Sequence, residues 1–63
     1  MTGEEIRAAR QAKGLSFRGA AMRIGIHNTY LHELEAGKKT NPSPYVRRRI
    51  AQVLGLPVTA ADS

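Results

Sequence analysis

Hydrogen-bonding side chains are concentrated in the stretch that follows Gly25. Four of them recur at spacings that would place them on one side of a helix: Asn28, Thr29, His32 and Glu33. An Asn side chain can pair bidentately with adenine, a Thr can contact the thymine methyl group, and a Glu carboxylate can accept a hydrogen bond from cytosine N4. This combination favours recognition of base edges in the major groove of DNA. The alternative is an ordinary solvated helix face.

Each of these four side chains also has a plainer interpretation. Asn28 and Thr29 could cap a helix N-terminus instead of contacting a base, and Thr29 could equally contact a phosphate. His32 could reach a base or a phosphate, or simply be exposed to solvent. Glu33 could be an exposed acid that repels phosphate.

The excess of basic over acidic residues lies mainly in the second part of the chain. The 63 residues carry ten Lys or Arg against five Asp or Glu, a formal net charge of +5. Residues 36–63 hold five of the bases and one acid. A field of that sign attracts polyanions, either nucleic acid or an anionic membrane, and a solvated helix face is the alternative. Arg47, Arg48 and Arg49 cannot all face one partner, so we expect one to reach phosphate or a dimer partner and the others to be solvated.

Residues on both sides of the polar face are candidates for contacts to the sugar–phosphate backbone. The lysines and the amide that follow the face would position a protein on DNA without reading its sequence. Arg18, with the backbone N–H groups after Ser16, could bind phosphate at a helix N-terminus. The Tyr30 hydroxyl could donate to phosphate, with partial core packing as the alternative. The expected set is Ser16, Phe17, Arg18, His27, Tyr30, Lys38, Lys39 and Asn41.

Capping residues and glycines divide the chain into short helices. Thr2 and Glu5 fit the T-x-x-E capping box of a first helix, which should end at Lys13-Gly14. The other predicted helices run from Ser16 to Gly25, from His27 or Asn28 to Ala36, from Ser43-Pro44 to Gly55, and from Thr59 as the beginning of a fifth. Their apolar stripes consist of Phe17, Ala20, Ala21 and Ile24, then Leu31 and Leu34, then Val46, Ile50, Val53 and Leu54. The predicted fold is therefore a compact all-α bundle of four to five helices.

The second and third predicted helices are separated by only Gly25, Ile26 and, at most, His27. A turn of about three residues that contains glycine sets two helices at a large angle, which is the helix-turn-helix signature. The small Ala20 and Ala21 would let these helices approach closely. The polar face would then lie on the outer side of the third helix. The alternative is an αα-hairpin with a solvated face.

Length and composition argue against several other classes of protein. A chain this short forms one small domain, residues 1–63, and no cysteine is available for a disulfide or a thiolate metal site. His27 and His32 are five residues apart, roughly 140° around a helix, so they do not converge on a metal ion. We therefore expect neither an enzyme nor a cofactor, a metal site or a small-molecule substrate.

Membrane association is disfavoured on similar grounds. The longest nearly apolar run, Val53–Val58, is far shorter than the ~20 residues of a membrane span. The fourth predicted helix uses its apolar face for the core, which leaves no such face for a membrane surface. The acidic N-terminus lacks the basic and apolar regions of a signal peptide, so the expected location is the cytoplasm.

A longer set of spaced residues runs through the chain: Ile6-Arg7 with Arg10, Lys13-Gly14-Leu15-Ser16, Ala20-Ala21, Ile24-Gly25-Ile26, Leu31, Leu34-Glu35, Gly37, Pro42 and Ile50-Ala51-x-x-Leu54-Gly55-Leu56. Over residues 3 to 62 this set resembles the Cro/C1-type (XRE) helix-turn-helix family. The resemblance implies a five-helix, phage-repressor-like domain with its helix-turn-helix at residues 16–37. It also implies a sequence-specific transcriptional regulator of the phage or plasmid type, repressor-like, which reads double-stranded DNA with helix 27–36 and binds as a homodimer on two half-sites. On the same ground Arg10 and Glu35 are expected to form a partly buried ion pair between the first and third helices.

Several positions depart from the pattern of that family. Phe17 stands where a Gln that contacts phosphate is usual, and Gly19 and Ala20 replace a typical Glu and Leu, which weakens the second helix. His27 replaces the usual Ser or Thr cap, so we expect the cap to move to Asn28. These departures keep open a second hypothesis, in which the fold is an adaptor for a protein partner such as a polymerase subunit, a recombinase or a toxin, and DNA binding is secondary.

Overall fold

A computed structural model describes residues 1–57, and within that range the chain forms four α-helices. They are α1 (Gly3–Ala12), α2 (Phe17–Ile24), α3 (Asn28–Ala36) and α4 (Pro44–Leu54). The predicted all-α class is confirmed, whereas the beginning of a fifth helix at Thr59 lies outside the described residues. None of these four helices is both long enough and apolar enough to cross a membrane.

Side chains at the N-termini determine where three of the helices begin. The Thr2 hydroxyl accepts from the Glu5 N–H at 3.1 Å, and the Glu5 carboxylate accepts from the Thr2 N–H at 2.7 Å, which completes the predicted capping box of α1. Ser16 and Ser43 cap α2 and α4, each by accepting from the backbone N–H three residues ahead. Each cap satisfies a donor that the helix itself leaves without a partner.

The core lies where α2 packs against α3 and α4, and α1 packs against the same two helices. Ile24, Leu31 and Ile50 are fully buried, one from each of α2, α3 and α4. Gly25 has a φ of +92°, a left-handed conformation that favours glycine, and α3 begins after only two further residues. The predicted turn between α2 and α3 is therefore present. The other buried apolar residues of the four helices are Ile6, Ala20, Ala21, Leu34, Ala51 and Leu54.

A nearly buried ion pair joins α1 to α3. The Arg10 guanidinium donates to both carboxylate oxygens of Glu35, from Nε at 2.7 Å and from Nη2 at 3.1 Å. Its Nη1 donates to the Leu15 carbonyl at 2.8 Å, and its Cζ lies 4.0 Å from the centre of the Phe17 ring. The ion pair that the resemblance implies is thus formed, and it holds the end of α3 against α1 and the loop before α2.

The N-terminus of α1 approaches α3 at backbone distance. A Cβ atom on Gly3 would lie 2.5 Å from the carbonyl oxygens of both Leu34 and Glu35, so there is room only for glycine. Gly19 differs, because a Cβ atom there would meet only the Ser16 hydroxyl, at 3.2 Å. Gly3, and not Gly19, therefore permits the close contact between helices.

Candidate nucleic-acid interface

Helix α3 turns its apolar side into the core and most of its polar side to the solvent. Its two leucines are buried, whereas Asn28, Thr29 and His32 are exposed and Glu33 is half-buried. Three of the four residues predicted to read bases therefore share an accessible surface, and the fourth lies partly covered on the same helix. A helix presented in this way can enter the major groove of DNA.

His27 caps α3, so the expectation that the cap moves to Asn28 is wrong. The backbone of His27 is extended, and its ring Nδ1 accepts a hydrogen bond from the Thr29 N–H at 3.1 Å. A ring nitrogen with a lone pair accepts this bond as a serine oxygen does at other caps. Within residues 1–57 the Asn28 side chain has no hydrogen-bond partner, which leaves its amide available to another molecule. Only the other ring nitrogen of His27, Nε2, is then available for a contact with phosphate.

The first turn of α2 meets α3 through aromatic side chains. Phe17 is half-buried, and its ring packs edge-to-face on the His32 ring, with centroids 5.3 Å apart and planes at 62°. The Phe17 side chain is therefore used for packing, and only its backbone N–H can serve a phosphate. Ser16 and Arg18 are exposed on either side of it. The N–H groups of Phe17 and Arg18 lie in a first helical turn, where the helix supplies no acceptors for them.

The loop after α3 exposes two lysine side chains while its backbone stays attached to the helix. The N–H groups of Lys38 and Lys39 both donate to the Glu33 carbonyl, at 2.9 and 3.3 Å. Gly37 has a φ of +82°, which lets the chain turn back in this way. Both lysines and Asn41 are exposed. The cations predicted to contact phosphate therefore follow α3 directly, on a loop whose first residues are held in place.

Few acidic groups oppose a polyanion on this surface. Residues 1–57 contain four acidic side chains, of which Glu35 is paired with Arg10 and two lie in the first turn of α1. Only Glu33 belongs to the polar side of α3. The loop lysines therefore leave the surface of α3 and its following loop with a net positive charge.

Tyr30 is half-buried and packs against the core, which is the plainer of its two interpretations.

Comparison with known proteins agrees with this geometry. The sequence model of a family described as "Helix-turn-helix domain" matches residues 3–63. The chain belongs to the helix-turn-helix domain family. The resemblance to a Cro/C1-type helix-turn-helix domain is thereby confirmed.

One protein similar to this helix-turn-helix domain is the HTH-type transcriptional regulator SlrR of Bacillus subtilis (strain 168). The two are 34% identical over 59 residues. The alignment covers 94% of this chain and 39% of SlrR, so the domain spans well under half the length of this relative. No solved structure matches the chain at a significant level.

An arginine of α4 holds the end of α2 in this helix-turn-helix domain, a contact that the sequence did not predict. Arg49 donates to the Arg23 carbonyl from Nη2 at 2.7 Å and to the Ile24 carbonyl from Nε at 3.2 Å. These carbonyls lie in the last turn of α2, where the helix leaves acceptors without partners. The expectation of a solvated side chain or a partner contact is therefore wrong for Arg49. Its two acceptors are 26 and 25 residues away in sequence, so no local pattern indicated them.

Replacing Arg49 with methionine should lower the free energy of unfolding by about 1 kcal/mol, because two carbonyls lose a charged donor while the aliphatic stem is retained. Urea unfolding followed by circular dichroism measures the change. Arg48→Met, at the exposed neighbouring position, is the matched control. Equal losses in the two variants would show that the contact contributes nothing to stability.

Proposed function

We propose that this helix-turn-helix domain binds specific sequences of double-stranded DNA and regulates transcription by occupying its site. The observation that carries the proposal is the orientation of α3, whose leucines are buried while Asn28, Thr29 and His32 face the solvent. In the major groove every base pair presents its own pattern of donors and acceptors, which such side chains can distinguish. The similarity to SlrR, which is named as a transcriptional regulator, supports the same function.

In this proposal α3 reads the bases, and the residues before and after it position the domain on the duplex. The Asn28 amide pairs with an adenine, Thr29 contacts a thymine methyl group, and Glu33 accepts from cytosine N4 where its half-buried position allows. Contacts to phosphate set the register of the domain on the duplex and carry no sequence information. They come from exposed side chains and from backbone N–H groups at Ser16, Phe17, Arg18, His27, Lys38, Lys39 and Asn41.

We further propose that two copies of the domain, each formed by residues 1–63, bind together on two half-sites. Recognition helices on half-sites one helical turn apart are separated by about 34 Å. Each domain would bury roughly 600–1,000 Å² of its surface. A repressor-like regulator of the phage or plasmid type, located with the DNA in the cytoplasm, fits this arrangement.

Lys38→Ala and Lys39→Ala should each weaken binding to all duplexes by a similar factor. Each variant should also flatten the dependence of log Kd on log salt by about one unit, because one fewer counterion is released. Fluorescence anisotropy titrations at several salt concentrations measure both effects. Lys13→Ala removes the same charge beside Gly55, at the end of α4, and should leave the salt slope unchanged. A wild-type affinity that does not respond to salt would refute electrostatic binding.

Asn28→Ala should relax the preference for one base pair by about 1–3 kcal/mol while leaving the salt slope unchanged. Selection of bound sites from a random duplex library, followed by titration of singly substituted duplexes, measures this preference. Gln11→Ala removes an exposed amide from α1 and is the matched control. A selection that enriches no motif, together with capture of a polymerase subunit, recombinase or toxin, would favour the adaptor hypothesis instead.

A further inference from the structure

A continuous stack of charged and aromatic side chains connects the interior of the domain to the exposed side of α3. It begins at the Glu35 carboxylate, which accepts two hydrogen bonds from Arg10 at 2.7 and 3.1 Å. The guanidinium lies 4.0 Å from the centre of the Phe17 ring, and the Phe17 and His32 ring centres are 5.3 Å apart. Because Glu35 and His32 both belong to α3, the stack leaves this helix, passes through α1 and α2, and returns to it.

The two ends of the stack differ in accessibility. The side chains of Arg10 and Glu35 are nearly buried, Phe17 is half-buried and His32 is exposed. The Arg10 guanidinium therefore contacts the Phe17 ring on its inner side, and the Glu35 carboxylate fixes that guanidinium. The outer side of the ring offers His32 an edge-to-face partner in one defined orientation. His32 is thus the outermost member of the stack, supported on one side and open on the other.

The surroundings of His32 suit an anionic partner. His32 and Phe17 line a shallow surface depression of about 290 Å³, together with Arg7, Arg10, Glu35 and Ala36. Glu35 is neutralised by Arg10, so the exposed Arg7 contributes the unbalanced charge of this depression. The imidazole and the Arg7 side chain therefore line the same depression.

We propose that Phe17 is a positioning residue that holds the His32 imidazole in the orientation in which it hydrogen-bonds to DNA; this inference rests on the proposed function. An exposed histidine loses rotamer freedom when it contacts a partner, and a ring that is already held loses less. The Phe17 side chain has no group that hydrogen-bonds to phosphate, and its ring contacts Arg10 and His32, of which only His32 is exposed on α3. In this proposal His32 makes a contact with DNA in place of the one that the Gln usual at position 17 would make.

A double-mutant cycle on DNA affinity tests this assignment. The variants are Phe17→Leu, His32→Ala and the combination, titrated against a duplex enriched from a random library and against a scrambled duplex of the same length. Phe17→Leu should weaken binding roughly two- to tenfold when His32 is present, the strength of one edge-to-face pair. In the His32→Ala background the same substitution should change affinity by less than about twofold. Phe17→Tyr retains the ring and should bind as the wild type does.

Circular dichroism establishes that each variant is folded, and Phe17→Met replaces Phe17→Leu in the cycle where the latter unfolds. Equal weakening by the Phe17 substitution with and without His32 would overturn the proposal, since Phe17 would then act through Arg10 or α2. When the two substitutions are coupled, equal losses on both duplexes assign His32 to a phosphate oxygen, and a larger loss on the enriched duplex assigns it to a base edge. A selection with the wild-type domain that enriches no duplex would refute the proposed function itself, and this inference with it.

Discussion

Replacing Arg10 with methionine is expected to lower the free energy of unfolding by about 3–5 kcal/mol. Arg10 is 8% exposed and the Glu35 side chain is 4% exposed, so the substitution leaves a carboxylate buried without its cation. The Leu15 carbonyl and the Phe17 ring lose a contact at the same time. A domain of this length has a total stability of roughly 3–9 kcal/mol. The substitution should therefore remove at least about a third of the stability of the domain.

Urea unfolding followed by circular dichroism measures this loss. Arg7→Met removes the same charge from an exposed position of α1 and should change stability by less than about 0.5 kcal/mol. The combination of Arg10→Met with Glu35→Met replaces both charges by apolar side chains and should recover most of the stability, because no charge is then left buried alone. If Arg10→Met proves as stable as Arg7→Met, the ion pair does not hold α3 to α1.

Replacing Gly3 with alanine is expected to destabilise the domain by about 2–3 kcal/mol, the upper part of the range for overpacking. The added Cβ atom would lie 2.5 Å from the carbonyl oxygens of Leu34 and Glu35 and 2.9 Å from the Glu35 carbonyl carbon. All three atoms belong to the backbone of α3, so relief requires a shift of one helix against the other. The Arg10–Glu35 pair resists that shift, because it joins the same two helices nearby.

Gly19→Ala is the control for the Gly3 substitution, because it makes the same chemical change inside another helix. Its Cβ atom would meet only the Ser16 hydroxyl, at 3.2 Å, and a small movement of that side chain makes room. The gain in helix propensity, up to ~1 kcal/mol, should offset the disturbance of the cap. The melting temperatures of the two variants, measured by thermal unfolding, distinguish the effect of the steric clash from that of helix propensity. Equal melting temperatures would contradict the close approach of α1 to α3.

Helix boundaries could be predicted from the sequence because they depend on contacts between neighbours in the chain. Thr2 with Glu5, and Ser16 and Ser43, each satisfy a donor three residues away, and Gly25 adopts the left-handed backbone that ends α2. The one cap predicted wrongly was that of α3. Because His27 stands where Ser or Thr is usual, the cap was expected at Asn28, whereas the His27 ring nitrogen accepts the bond from the Thr29 N–H.

The orientation of α3 could also be predicted, since Leu31 and Leu34 define its buried side by their spacing alone. The Arg10–Glu35 pair was expected only through resemblance, because nothing local connects residues 25 positions apart. Whether Glu33 is exposed could not be predicted. Helical spacing places it on the polar side, but its degree of burial is decided only by the packing of the folded chain.

The sequence alone determined four helices, the short turn between the second and third, and an outward polar face that can recognise DNA. These features arise from hydrogen bonds and apolar spacing within a few residues. The tertiary structure alone decided that Arg49 caps α2, that Gly3 touches the backbone of α3, and that Phe17 supports His32. Each of these contacts joins different helices, so it exists only once the helices have packed at a particular distance and angle.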